Sequence, residues 1–239
     1  MKGAENNMKI NPIDFTLKDG RPATLCSPKP EDAEEMIRYM VRSTEETDFL
    51  LRYPEEALTY TVESERAFLE SRNASEDELM ITCYVQGKIA GNCALMRDSH
   101  IKTRHRASVA IALLKEYWNL GIGTRMLEQL IRAAEQRGDI LQLELDYIEG
   151  NVRARALYEK MGFRITGVKP DAIRLKDGTL LNEYMMIRKI CRFVSALALL
   201  LYTDGIPEAI NREQEQFGFD RLKAAAVHGD ADHLNPYDA

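Results

Sequence analysis

Two periods of hydrophobic spacing run through the chain. Between Ile13 and Cys26 apolar and polar residues alternate on either side of Lys18-Asp19-Gly20-Arg21, which predicts a β-hairpin. Ser27-Pro28-Lys29-Pro30 breaks the alternation, and Asp32 opens a stretch with helical spacing. Ala33, Met36, Ile37, Met40 and Val41 fall on one face of that helix, and Glu34 and Glu35 sit in its first turn, where carboxylates suit the helix dipole. A second helix is predicted over 62–71. Both helices suit a lid or side wall better than a core.

Residues 79–85 and 88–96 are strand-like and meet at Gln86-Gly87. Residues 107–114 are almost continuously apolar, which predicts a central strand buried on both faces. A loop over 115–120 leads into a helix over 121–137, whose apolar face is Leu127, Leu130, Ile131 and Ala134. A strand over 140–147, a helix over 152–161 and a strand over 163–174 follow. Lys176-Asp177-Gly178 then turns the chain into a strand over 180–190. Strands alternating with helices and a closing hairpin indicate an α/β or α+β domain with a mixed sheet. The expected organisation is a short N-terminal tail over 1–12, one domain over 13–190 and an extension over 191–239.

Composition narrows the classes. With 45% hydrophobic and 29% charged residues, the 239-residue chain has the make-up of a soluble globular protein. A formal net charge of −6 argues against binding nucleic acid by phosphate neutralisation, and leaves a cationic substrate open. Cys26, Cys83, Cys93 and Cys191 form no CxxC pair and have no histidine at ligand spacing, so no metal site is expected. Cys83 and Cys93 can lie on adjacent strands of one hairpin, so a disulfide is one reading; buried reduced thiols are the favoured one. The first ten residues are polar, which predicts no secretory signal, and the longest apolar stretch, 193–202, is too short to cross a bilayer. A cytoplasmic protein with no membrane partner is expected.

The chemistry concentrates in Ser108-Val-Ala-Ile-Ala-Leu-Leu-Lys-Glu-Tyr-Trp-Asn-Leu-Gly-Ile-Gly-Thr124. A buried strand feeds a loop, and the loop feeds a helix through Gly121 and Gly123. The unpaired amides of Leu120, Gly121, Ile122, Gly123 and Thr124 then point outward with the positive end of the helix dipole behind them, as a phosphate or pyrophosphate cradle. No Walker lysine follows the second glycine, so this is not a nucleotide-hydrolysing loop, and a GxGxxG fingerprint is incomplete. A GxG pair alone can be no more than a tight turn. A second motif, Asn151-Val-Arg-Ala-Arg-Ala-Leu-Tyr-Glu-Lys-Met-Gly-Phe163, follows the next strand.

Together these two motifs, in this order, resemble the GNAT N-acetyltransferase superfamily over about 13–190, with Asn182-Glu183-Tyr184-Met185-Met186 similar to its closing strands. The resemblance implies a mixed, mostly antiparallel sheet with a splayed parallel strand pair, flanked by helices, and acetyl-CoA as cosubstrate. It implies that Leu113 and Leu114 offer backbone groups to the pantetheine arm and that residues 120–124 hold the pyrophosphate. It also implies that Asn151 contacts the pantetheine side and that Tyr158 stands near the thioester sulfur. A phenol there can protonate or hydrogen-bond the departing thiolate; ordinary packing is the plain alternative.

Two positions depart from the family pattern. Trp118 occupies the first position of the loop, where a cation or amide is usual, which matters little if backbone amides do the phosphate work. Ser108 occupies the position of a strand glutamate that helps deprotonate the amine. The proton must then leave through Glu144 or Asp146 on the next strand, His105, or a water chain, with Tyr84 more remote. Glu144 and Asp146 alternate on a strand and can equally face solvent; His105 lies between Arg104 and Arg106 at an exposed strand start. The implied reaction is direct attack of a deprotonated primary amine on the thioester, with no metal. A route through Cys83 or Cys93 finds no mark of an activated thiol.

The tail over 197–223, with Leu-Tyr-Thr-Asp204-Gly, resembles the C-terminal piece of bacterial metal-dependent serine phosphatases. The other metal carboxylates of that fold are absent, so phosphatase activity is not expected. The leading reading is therefore an N-acetyltransferase acting on a small-molecule or peptide amine, with a homodimer as a further assembly open to it. A catalytically silent acyl-CoA-binding sensor and an interaction protein working through its tail are the alternatives.

Overall fold

The computed structural model describes residues 8–190. Cys191 and the phosphatase-like stretch with Asp204 lie outside the described residues. The chain opens with a hairpin of β1 (Ile13–Thr16) and β2 (Pro22–Cys26), followed by α1 (Ala33–Glu45), the short α2 (Pro54–Ala57) and α3 (Val62–Ala74). Then come β3 (Glu78–Val85), β4 (Lys88–Arg97), β5 (Arg106–Leu113), α4 (Ile122–Arg137), β6 (Gln142–Ile148), α5 (Val152–Lys160), β7 (Arg164–Arg174) and β8 (Leu180–Lys189). The strands form one sheet in the order β1-β2-β3-β4-β5-β6-β8-β7. Only β5 and β6 pair in parallel, and they do so over just Arg106↔Gln142, Ala107↔Leu143 and Ser108↔Glu144. β5 runs on to Leu113 and β6 to Ile148 without further pairing, so the two strands part.

Alternation in the strands sorts side chains to two faces. Met80 and Thr82, Asn92 and Ala94, and Ser108, Ala110 and Ala112 share one face, in register across β3, β4 and β5. The Asn92 amide lies against Met36 Sδ of α1 on that side. Ile111 and Leu113 point the other way, toward Gly123 of α4. Leu127, Leu130 and Ala134 of α4 are fully buried there. Phe163 is among the largest fully buried side chains; burying such a ring contributes about 1.5–3 kcal/mol. Residues 8–12 lack regular structure but are tied down: the Met8 amide donates to Ser75 O and the Ile10 amide to Ser27 Oγ.

Two expectations change. The buried positions of α1 are Ala33, Met36, Tyr39 and Ser43, while Ile37, Met40 and Val41 are only half-buried. Polar atoms on Tyr39 and Ser43 hide their membership of this face in the sequence, yet both hydroxyls find carbonyl acceptors inside, on Ala112 and Met40. Strand β5 is not buried on both faces: Ser108 and Ala110 are exposed, and they line a cavity. Small apolar residues there made an open wall read as core.

Candidate active site

The cradle is built by the entry to α4. Asn119 (φ 65°) and Gly121 (φ 96°) both adopt left-handed backbone, and Gly121 is the N-cap. Gly121 meets that demand without a Cβ penalty. Gly123 answers a different need: a Cβ on it would stand 2.9 Å from Leu157 Cδ2 and 3.5 Å from Leu113 Cδ1, so α4, α5 and β5 meet through its missing side chain. The Arg125 amide donates to Gly121 O at 3.2 Å. The amides of Ile122, Gly123 and Thr124 precede it in the first turn, where no intrahelical acceptor exists, and they carry the positive end of the dipole. Lys160 Nζ lies 3.5 Å from Thr124 Oγ1 and adds a cation. This arrangement fits a pyrophosphate.

Next to the cradle is the parting of β5 and β6. The Leu114 amide donates to Ala90 O at 3.0 Å, so Leu113 faces Gly91 as a non-hydrogen-bonded pair and turns its own amide and carbonyl away from β4, into the gap. Trp118 Nε1 donates to the Leu113 carbonyl at 2.8 Å, and the Leu113 amide is left for a ligand. Leu114 differs: its amide goes to Ala90 and its carbonyl accepts from the Tyr117 amide, so of the expected pair Leu113 is the one whose amide faces the gap. Arg153 stacks over the Trp118 ring at 4.1 Å.

A cavity of about 790 Å³ opens from this gap across the face that carries α1 and α3. Asn151 lines it while its Oδ1 accepts the Ala154 amide at 3.2 Å, capping α5. Tyr158, one face further along α5, is buried between Tyr147 (6.4 Å between ring centroids) and Phe163 (6.2 Å), and Tyr147 stacks on Tyr184 at 5.2 Å. The Tyr158 hydroxyl has no hydrogen bond among the described residues and the residue lines the cavity. Burial pushes its phenol up to about 12, so it stays protonated near neutral pH.

Glu144 and Asp146 both line the cavity, as does Ser108, which is paired in register with Glu144. Glu144 accepts from Gln142 Nε2 at 2.6 Å and lies 3.4 Å from Arg106. Asp146 is bound to Lys169 Nζ at 2.7 Å, and Glu183 holds the same ammonium at 2.9 Å. Those hydrogen bonds, to Asp146 first and Glu183 second, push the Lys169 pKa upward. His105 is exposed and Tyr84 donates to Asp32 Oδ2; neither lines the cavity. Cys26, Cys83 and Cys93 are free and buried. Burial pushes Cys83 up to about 12 and the other two upward as well, which leaves no activated thiol among the described residues. No cluster able to hold a metal occurs among the described residues.

Sequence reasoning missed the part played by three residues. In the sequence Trp118 stands out only as a departure from the family pattern, although an indole beside a strand end is a ready donor. Arg153 sits two residues after Asn151, inside the second motif. Tyr39, which donates to Ala112 O at 2.8 Å, lies three residues after Met36, the one signal that could have placed it inside.

A helix entry suited to a pyrophosphate, a gap between parallel strands and a buried phenol fit a CoA-dependent acyltransferase. The acetyltransferase (GNAT) family model matches residues 39–163, and the chain belongs to that family. The chain is 29% identical to the acetyltransferase of GNAT family from Streptococcus pneumoniae, with 70% of this chain and 99% of that one covered at a TM-score of 0.67. YncA from Salmonella typhimurium, solved with its cofactor acetyl-CoA, shares the fold at 16% identity, with 72% and 96% covered and a TM-score of 0.62. The ribosomal-protein-S18-alanine N-acetyltransferase from Escherichia coli shares it at 22% identity, with 70% and 94% covered and a TM-score of 0.53. Acetyl transfer from acetyl-CoA is the general activity this membership supports.

Proposed function

We propose that the protein moves the acetyl group of acetyl-CoA to a primary amine by direct attack within a ternary complex. The observation that carries this reading is Tyr158: its ring is buried, its hydroxyl makes no hydrogen bond among the described residues, and it lines the cavity where β5 and β6 part. Acetyl-CoA supplies an activated thioester and a thiolate leaving group. The amides of Ile122, Gly123 and Thr124, with Lys160, hold the pyrophosphate. The Leu113 amide orients the pantetheine arm. Tyr158 gives its proton, or a hydrogen bond, to the sulfur as the carbon–sulfur bond breaks.

An amine arrives largely as ammonium near neutral pH and must lose a proton before it attacks. Glu144 is the less encumbered carboxylate: it faces a neutral amide and a guanidinium at 3.4 Å, whereas Asp146 is tied to an ammonium at 2.7 Å. We assign proton removal to Glu144, directly or through one water, and attraction of the incoming cation to Asp146. Free, buried thiols suit a cytoplasmic setting.

Release of free CoA thiol from acetyl-CoA in the presence of a panel of primary amines tests the proposal. Ser108, standing where a basic glutamate is usual, favours a second reading, a catalytically silent acyl-CoA sensor. Tight acetyl-CoA binding with no amine-dependent thiol release would establish the sensor and remove the enzyme.

A further inference from the structure

Five carboxylates line the cavity: Glu65, Glu78, Glu144, Asp146 and Glu183. Four are already matched. Glu78 pairs with Arg72, Glu144 with Arg106 and the Gln142 amide, and Asp146 and Glu183 share Lys169. Glu65 makes neither hydrogen bond nor ion pair among the described residues, and it is the most deeply buried of the five at 3% exposure.

Its place in α3 is dictated by the helix itself. Thr61 caps the N-terminus, accepting the Ser64 amide on Oγ1, and the Glu65 amide donates to Thr61 O. Leu69, one turn on, is fully buried and fixes the inward face. Glu65 and Phe68 thus look into the cavity from the same side as Arg72. A leucine would satisfy such a position, as it does at 69. An unmatched carboxylate that lines the cavity is instead open to a cationic ligand. Burial pushes its carboxyl upward in pKa, and Arg52, acting only through space, offsets part of that effect. Met40, Phe49, Leu50 and Phe68 line the same cavity and offer apolar contact.

We propose that Glu65 binds a second, cationic group of the acceptor, so that the acceptor is a small diamine. One amino group is acetylated beside Glu144 and Tyr158, while the other, as ammonium, pairs with Glu65. The apolar wall takes the methylene chain between them, and an ammonium restores the balance that the buried carboxylate lacks. This inference rests on the acetyl-transfer reading given above and adds the substrate class to it.

The full chain is assayed with acetyl-CoA and matched acceptors, linear α,ω-diamines against monoamines of the same length, and binding of each to the CoA-loaded protein is followed by thermal shift. The wild type should prefer a diamine in kcat/KM by at least about tenfold, the effect of one charge-assisted hydrogen bond. Glu65→Gln and Glu65→Leu should lose that preference, keep the KM for acetyl-CoA, and melt no lower than the wild type. Equal use of diamines and monoamines, or a preference that survives both substitutions, overturns the inference and leaves acetyl transfer standing. A sharp fall in melting temperature for both variants shows a structural partner for Glu65 and likewise overturns it. If no amine is acetylated, diamine stabilisation that is lost in Glu65→Gln upholds the site while removing the enzyme reading; absence of that stabilisation removes both.

Discussion

The indole of Trp118 reaches back five residues to the carbonyl of Leu113, at 2.8 Å, at the point where β5 leaves its partner β6. Leu113 faces the gap because its neighbour Leu114 donates to Ala90. The indole satisfies one of the two polar groups that β5 exposes there, and Arg153 stacked at 4.1 Å holds the ring in place. Trp118 therefore stiffens the strand end against which a pantetheine arm would lie. Replacing it by phenylalanine keeps an aromatic surface under Arg153 and removes the donor. Trp118→Phe should raise the KM for acetyl-CoA by roughly fivefold, the worth of one neutral hydrogen bond, with kcat changed less. Steady-state kinetics at fixed amine decide this; a fall in kcat with unchanged KM would place Trp118 in the chemical step instead.

Gly121 and Gly123 should fail in different ways. Alanine at 121 has open space but must hold φ near 96°, at a cost of about 1–2 kcal/mol. Alanine at 123 meets Leu157 Cδ2 at 2.9 Å, and overpacking of this kind costs about 1–3 kcal/mol while pushing α5 and its Tyr158 away from the cradle. Both variants should bind acetyl-CoA more weakly by calorimetry, but only Gly123→Ala should also lower kcat through displaced Tyr158. Equal kcat losses in the two would contradict this division.

The order of strands and helices was legible because each element's period is intact, from the hairpin turn at Lys18–Arg21 to the closing strands. The cradle was legible for the same local reason: a strand, two glycines and a helix lie within one short stretch. What was not legible depends on contacts between distant segments. That β5 leaves β6 was expected only through the family resemblance; the hydrophobic pattern of residues 106–113 does not show it, since it follows from the three-pair register with residues 142–144. Lys169 belongs to β7, yet it decides which of Glu144 and Asp146 is encumbered. Glu65 looks like one more acidic residue on a polar helix until Leu69 shows which side faces inward. The identity of the proton acceptor thus turns on tertiary pairing, while the phosphate site turns on local backbone.

Substituting the two wall carboxylates separates their roles. Glu144→Gln should lower kcat by roughly 100-fold, in the range of lost general-base assistance, with a smaller effect on the amine KM. Asp146→Asn should mainly raise the amine KM, because it removes negative charge from the cavity wall and leaves Lys169 to Glu183 alone. If Asp146→Asn shows the larger fall in kcat, the two assignments are reversed.

Tyr158 links chemistry to alkaline stability. Its hydroxyl has no partner among the described residues, so Tyr158→Phe should change stability near pH 7 by less than about 1 kcal/mol. Turnover should nonetheless fall by roughly 100-fold with the KM for acetyl-CoA nearly constant, because the thiolate loses its proton donor only in the transition state. Burial raises this phenol from its ordinary 10.0 to about 12 in the folded protein. The anion is the disfavoured form inside, so the stabilising contribution is complete below pH 10 and is lost as pH rises from 10 toward 12. Over that window the unfolded chain releases a proton that the folded one retains, and the wild type should lose about 1.4 kcal/mol per pH unit through this residue. Tyr158→Phe lacks that loss. Urea denaturation at pH 7 and pH 11 should therefore show the variant gaining on the wild type as pH rises. Parallel alkaline losses in the two proteins would mean that Tyr158 is not held in an apolar setting, and would remove the basis for its role as a proton donor.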